Sequence, residues 1–321
     1  MNPNKQIAVI GTVGLPAKYG GFETLVEYIT KELNTQFDFT VYCSAKKYPE
    51  QLDTYNNCKL KYVNLDANGM QSIPYDIKSI VHALKYADVL LILGVSGCVI
   101  LPFIKIFSKK KIIVNIDGLE WKRQKWNRLA KFFLKFSEKC AVNHADAIIA
   151  DNKVIQDYVL EEYSKKAYLI AYGGDHCIPE PISTSTNIKF PFLGQNYAFK
   201  VCRIEPENNI EMILEAFSEQ YNLPLVLVGN WENSDFGRLM KEKYSAFKNL
   251  HLLDPIYNQS ILNQLRSNCM LYVHGHSAGG TNPSLVEAMS LELPIVSFGI
   301  QYNRETTKNE ALYFNSAKEL V

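Results

Sequence analysis

Gln6-Ile-Ala-Val-Ile10-Gly11-Thr-Val-Gly14-Leu-Pro16-Ala-Lys18-Tyr-Gly20-Gly21-Phe-Glu23 opens the chain with an apolar run of strand length, a glycine-rich turn and a helix-period segment continuing to Leu33. A strand running through glycines into a helix is the first half of a βαβ unit. G-x-G-x-x-G is absent from the turn and the loop is several residues too long for it, so the dinucleotide fingerprint does not fit. Two readings remain for Gly20 and Gly21: a helix N-terminus whose free N–H groups hold an anion, or a structural loop that needs glycine torsions.

Outward from this unit the alternation continues. Strands are predicted from Phe39–Cys43 to Ala167–Ile170, with helices that include Ile77–Tyr86, Cys98–Phe107 and Arg123–Val142. Between Cys177 and Gln195 the pattern fails at Pro179, Pro181, Pro191 and a Ser/Thr cluster, which reads as a linker. It then restarts from Ala198–Cys202 to Ile295–Phe298. The expectation is an α/β protein of two Rossmann-like doubly wound domains, 1–176 and 196–321, joined by 177–195 and facing one cleft. The second domain ends at AKELV, at the start of another helical pattern.

With 321 residues, 47% apolar and 21% charged, the composition excludes disorder, collagen and coiled coil. A net charge of +1 provides no overall field for nucleic acid, and none is expected as a partner. Seven scattered cysteines without a C-x-x-C pair suggest buried, reduced thiols. No apolar stretch follows a basic start, and no run approaches the roughly 18 residues of a membrane span. A cytoplasmic or peripheral location is expected.

Chemistry concentrates where strands enter helices. In Gly275-His276-Ser-Ala-Gly279-Gly280-Thr281-Asn282-Pro283-Ser284-Leu-Val-Glu287, Thr281 or Asn282 can cap a helix that Pro283 opens, leaving N–H groups for a phosphate. Glu287, one turn in, is either solvent-facing or an acceptor for sugar hydroxyls. In Arg203-Ile-Glu205-Pro-Glu207-Asn208-Asn209, Arg203 can fork onto a diphosphate or pair with Glu205 or Glu207. Asp117, after a strand in Asn115-Ile-Asp117-Gly-Leu-Glu120-Trp121, can orient an acceptor hydroxyl or take its proton, with Glu120 as competitor; the other reading is a helix cap. No histidine cluster or D-x-D pair suggests a metal site.

From Lys105 to Lys139, eleven Lys/Arg face three Asp/Glu, a net +8. Arg128, Lys131, Lys135 and Lys139 run beside Leu129, Phe132, Phe133, Phe136 and Cys140 at helical spacing, suggesting either an anionic membrane surface as partner or a solvated face over a core helix.

Together, GTVGLPAKYGGFETLVEYI (11–29), VNIDGLEWKRQKW (114–126), YGGD (172–175), RIEPENNIEMILEAF (203–217) and HGHSAGGTNPSLVEAM (274–289) resemble GT-B glycosyltransferases of family 4, in particular bacterial rhamnosyltransferases of capsule and cell-wall polysaccharide assembly. The resemblance implies a retaining transferase with a nucleotide-sugar donor as substrate and no cofactor, moving L-rhamnose from dTDP-rhamnose to a lipid-linked saccharide. It makes Arg203 the diphosphate arginine, Glu287 the ribose-binding second glutamate of a Glu-x7-Glu motif, and Gly280–Ser284 the backbone around phosphate and sugar. His274 and His276 would flank the donor. Gly279 stands where the first glutamate is expected, and Asn208 or Asn209 where a lysine is expected. The alternatives are a UDP- or GDP-sugar donor, a non-catalytic partner subunit, and a nucleotide-sugar epimerase.

Overall fold

A computed structural model describes residues 4–18, 20–123, 126–219 and 222–321. Tyr19, Gln124 and Lys125, which fall in the quoted motifs, lie outside the described residues. The chain divides into two compact units, Met1–Ala171 and Tyr172–Val321.

The first unit runs β1 (Lys5–Ile10), α1 (Gly21–Leu33), β2 (Phe37–Ser44), β3 (Thr54–Tyr55), β4 (Cys58–Val63), α2 (Ser72–Ala83) and β5 (Val89–Leu93). It continues with α3 (Leu101–Phe107), β6 (Lys111–Asn115), α4 (Arg128–His144), β7 (Ala147–Ala150), α5 (Lys153–Tyr163) and β8 (Tyr168–Leu169). The sheet order is β3-β4-β2-β1-β5-β6-β7-β8, parallel throughout except for the short β3. Its central strands read as near-continuous apolar runs because helices cover both faces: Ala8, Val9, Ile10, Leu90, Ile92, Ile112 and Val114 are fully buried.

In the second unit α6 (Thr184–Lys189) precedes β9 (Ala198–Val201), α7 (Ile210–Ser218), β10 (Leu225–Val228), α8 (Asp235–Tyr244) and β11 (Leu250–Leu253). Then come α9 (Gln259–Ser267), β12 (Leu271–His274), α10 (Pro283–Ser290), β13 (Ile295–Phe298), α11 (Gln301–Thr306), β14 (Leu312–Phe314) and α12 (Ala317–Leu320). The order β11-β10-β9-β12-β13-β14 is all parallel. Chain order reverses between β1 and β5 in the first sheet and between β9 and β12 in the second. Those two junctions are where open α/β sheets receive ligands.

The stretch read as a linker, 177–195, is built onto the second unit. Ser183 caps α6, and its N–H donates to Gln264 on α9, while Glu180 accepts from Asn263 and Asn268 of the same region. Its prolines end helical periodicity without ending packing. All seven cysteines are free thiols, six of them buried. No described helix is long and apolar enough to cross a membrane.

Candidate functional site

Both loops expected to bind a donor leave the carboxyl ends of β9 and β12, at the reversal of the second sheet. They are sewn together: Asn208 donates to the Arg203 carbonyl and pairs with His276 Nδ1 at 3.0 Å, Asn209 donates to the Gly275 carbonyl, and Ser277 donates to the Glu207 carbonyl. Asn303 on α11 adds a hydrogen bond to the His276 carbonyl. Asn208 and His276 are buried and bonded to each other, so they shape the loop rather than offer these atoms to a ligand. His274 is also buried, stacked on Tyr272, and burial holds its imidazole neutral by pushing its pKa well below the ordinary value.

Arg203 differs from these neighbours. Its side chain is 40% exposed and its nearest carboxylate, on Glu205, is 3.8 Å away. So loose and exposed a pair contributes little, and the guanidinium can turn to an incoming anion. Asn282 is the cap of α10: its side-chain oxygen accepts from the N–H and hydroxyl of Ser284, with Pro283 in the first helical position. Gly279 adopts positive φ, and Gly280 and Thr281 are buried beside the helix start.

Glu287 is neither solvent-facing nor free. Its side chain is 13% exposed, one oxygen 2.6 Å from Arg266 Nη2 and the other 3.1 Å from His176 Nε2. Burial alone would raise its pKa, but Arg266 and His176 outweigh burial and hold it below the usual carboxylate value. His176 is pushed up to about 9 by hydrogen bonds to Cys177 and Glu287, against the opposing effect of burial. The approach of YGGD to α10 makes this contact. A Cβ on Gly174 would lie 2.7 Å from the Val286 carbonyl oxygen, so only glycine lets this segment come close enough to present His176 to Glu287.

Arg266 and His176 were not legible as site residues from spacing. Arg266 lies on the inner face of α9, more than twenty residues from Glu287, inside an ordinary amphipathic pattern. The ligand atoms of His176, Cys177 and Glu287 lie within 4.8 Å of one another, a possible metal-ligand geometry. Arg266, however, also donates to Cys177 Sγ at 2.8 Å. A fixed guanidinium therefore already serves as the cation for these ligands, and a metal ion would have to displace it.

In the first unit the glycine-rich loop follows β1 at the reversal of that sheet, but the reading of Gly20 and Gly21 as an anion site needs correction. The buried carboxylate of Glu23 sits at the start of α1, accepting from Thr12 Oγ1 at 2.9 Å and the Val13 N–H at 2.6 Å. Gly20 takes φ 134°, and a Cβ there would lie 1.8 Å from Glu23 Oε2, so the position suits only glycine. Glu27, one turn on, accepts from the Ala17 N–H and Tyr55 hydroxyl. Both carboxylates lie within the first two turns of α1, so a phosphate at this helix start would meet like charge.

Asp117 and Leu119, on the loop after β6, both adopt the left-handed conformation, which costs of order 1–3 kcal/mol each for residues other than glycine. Buried Arg123 spans the loop, 2.7 Å from Glu120 and 3.9 Å from Asp117. Glu120 also accepts from Trp126 Nε1. Among the described residues Asp117 caps no helix; the cap of α4 is Asn127. Of the two acids on this loop, Asp117 has the more exposed side chain, 30% against 19%.

Residues 4–175 match the family model described as domain of unknown function DUF1972, and residues 184–319 match the glycosyl transferases group 1. The chain is similar to an uncharacterized glycosyltransferase (MJ1069) of Methanocaldococcus jannaschii, with 24% identity covering 87% of this chain and 77% of that one. Among solved structures, it resembles a sucrose-phosphate synthase of Thermosynechococcus elongatus (TM-score 0.80, 15% identity, 99% and 88% covered). It also resembles Anabaena HepE, solved in complex with UDP and glucose (TM-score 0.71, 14% identity, 99% and 88% covered). The fold is that of GT-B glycosyltransferases.

Proposed function

The chain belongs to the DUF1972 family through residues 4–175, and from that premise, joined to the group 1 glycosyl transferase match over 184–319, we propose that it transfers a sugar from a nucleotide-sugar donor to a saccharide acceptor. One observation carries the reading. The loops after β9 and β12, hydrogen-bonded to each other at the point where strand order reverses, carry the half-exposed Arg203 on one and lead into the capped start of α10 on the other.

In this reading Arg203 binds the donor diphosphate, and the positive end of α10 adds to the same field. As the sugar–phosphate bond breaks, both stabilise the negative charge that develops on the leaving diphosphate. Glu287 is ionised and fixed, and each carboxylate oxygen keeps a lone pair beyond those facing Arg266 and His176. Those lone pairs accept the two ribose hydroxyls. Asp117 orients the acceptor hydroxyl or takes its proton, and transfer proceeds with retention by attack on the face the diphosphate leaves. The donor we favour is dTDP-rhamnose, and the acceptor a lipid-linked saccharide: with Gly279 where a carboxylate would contact the sugar, a 6-deoxy sugar has fewer hydroxyls to satisfy. A UDP-sugar is the second reading, favoured by the UDP and glucose complex of HepE.

The test is thermal stability with dTDP, UDP, GDP and their sugars, where a ligand at 100 times its dissociation constant adds about 2.7 kcal/mol. Stabilisation by dTDP and dTDP-rhamnose, lost in Arg203→Ala, supports the rhamnosyl reading. A preference for UDP keeps the transferase and replaces the donor. No response to any nucleotide counts against catalysis and for a partner subunit.

A further inference from the structure

Two neighbouring helices of the first unit leave large apolar side chains in water. On α3 these are Phe103, Ile106 and Phe107; on α4 they are Leu129, Phe132 and Phe136, all between 49 and 86% exposed. The spacing of each set places it on one outer face of its helix, while Leu101 and Ile104 of α3 and Ala130 and Leu134 of α4 fill the core. The helices pack against each other. Single exposed apolar residues are ordinary, but a cluster of this kind on two adjacent helices marks an interaction surface.

The surrounding charge is predominantly positive, with Asp146, paired to Lys105 and near Lys111, as the neighbouring acid. α3 contains no acid, and the single acid of α4, Glu138, is fully buried. Lys109, Lys110, Arg128, Lys131 and Lys139 have no carboxylate partner among the described residues, and Lys111 is 70% exposed with Asp146 3.7 Å away. Lys109–Lys111 follows Phe107 after the single residue Ser108.

We propose that α3, the Lys109–Lys111 turn and the first half of α4 form a docking face for an anionic lipid bilayer. The phenyl and aliphatic side chains enter the boundary between headgroups and acyl chains, and the cations meet lipid phosphates. A second copy of the chain is the poorer occupant, since a two-fold contact would bring this basic rim against itself. The inference stands apart from the donor-site reading, because none of these residues belongs to that site.

Flotation of the full chain with phosphatidylcholine vesicles, with and without phosphatidylglycerol, tests it. The chain should float with anionic vesicles and stay behind with neutral ones. Lys109→Glu/Lys110→Glu/Lys131→Glu should weaken binding by at least about a hundredfold, since each cation near such a surface contributes about a factor of five and each glutamate adds repulsion. Phe103→Ser/Phe107→Ser/Phe132→Ser should abolish the fraction that stays bound at high salt. Because Phe103, Phe107, Phe132 and Lys109 are exposed and Lys110 and Lys131 are partly so, with no carboxylate partner among the described residues, both variants should keep the wild-type Tm and the wild-type nucleotide response, which separates loss of docking from misfolding or loss of the donor site. Equal binding to both vesicle types, no binding, or a concentration-dependent dimer dissolved by the serine variant in the absence of vesicles would each overturn the proposal.

Discussion

Glu287 is held between two cations, and that changes how its role can be probed. Removing one partner of a buried ion pair typically costs about 3–5 kcal/mol, because the other charge is left uncompensated. We therefore expect Glu287→Ala to lower the Tm by on the order of 10 °C, enough to obscure any effect on the donor, whereas half-exposed Arg203→Ala should leave the Tm unchanged and abolish nucleotide stabilisation. Differential scanning fluorimetry of both variants, with and without dTDP, separates the two. The same cluster sets a pH dependence. His176 rises from 6.5 unfolded to about 9 folded, so its contribution to stability is complete below pH 6.5 and fades as the pH climbs through 9. Glu287, depressed when folded, contributes fully above its unfolded value of 4.5 and loses that contribution as the pH falls through its lowered folded value. Denaturation midpoints from pH 5 to 10 should show an alkaline decline that is shallower in His176→Gln. In the first unit, Asp117→Asn should cut transfer by about 10²-fold or more if the carboxylate takes the acceptor proton, while leaving the dTDP-induced shift intact. Unchanged transfer would remove Asp117 from the mechanism.

At the scale of elements, α4 shows what a periodic pattern can and cannot reveal. Its buried Glu138 accepts from Trp121 Nε1 at 3.0 Å, Tyr158 at 2.5 Å and Tyr163 at 2.6 Å, with Lys135 3.4 Å away. This binds the helix to α5 and to the loop carrying Asp117. Glu138→Ala would strand three half-buried donors and a half-buried cation around a fully buried position, so a loss of a few kcal/mol is expected in chemical denaturation, with Glu138→Gln distinctly milder. The parallel strands and most helices were legible because apolar runs of strand length stand out against helical periods. Boundaries were not. Helix α4 was expected from Arg123 and begins at Arg128, because Lys and Arg suit a helix and conceal the cap at Asn127. Helix α2 was expected from Ile77 and begins at Ser72, because Pro74 looks like a breaker although a helix's first turn tolerates it. The donor loops were legible from their capping chemistry. His176 and Arg266 were not, since only the fold brings segments so distant in sequence to Glu287.

Across the whole molecule, two sheets of similar winding offer two ligand positions, and their charges differ. The loop after β1 encloses the Glu23 carboxylate, with Glu27 one turn further on. The loops after β9 and β12 present Arg203, with the Glu287 charge already balanced by Arg266 and His176. A nucleoside diphosphate should accordingly choose the second unit, and the first should suit an uncharged hydroxyl-bearing ligand. Hydrogen–deuterium exchange with saturating dTDP would then show protection at 202–209 and 275–287 and none at 11–20. Protection at 11–20 would mean that the Glu23 carboxylate does not exclude a phosphate, and the assignment of donor and acceptor to the two units would have to be reversed. Glu23→Gln tightens the test. Removing that charge should open the first loop to anions, and exchange protection by dTDP appearing there only in the variant would identify electrostatic exclusion, rather than loop shape, as what separates the two positions.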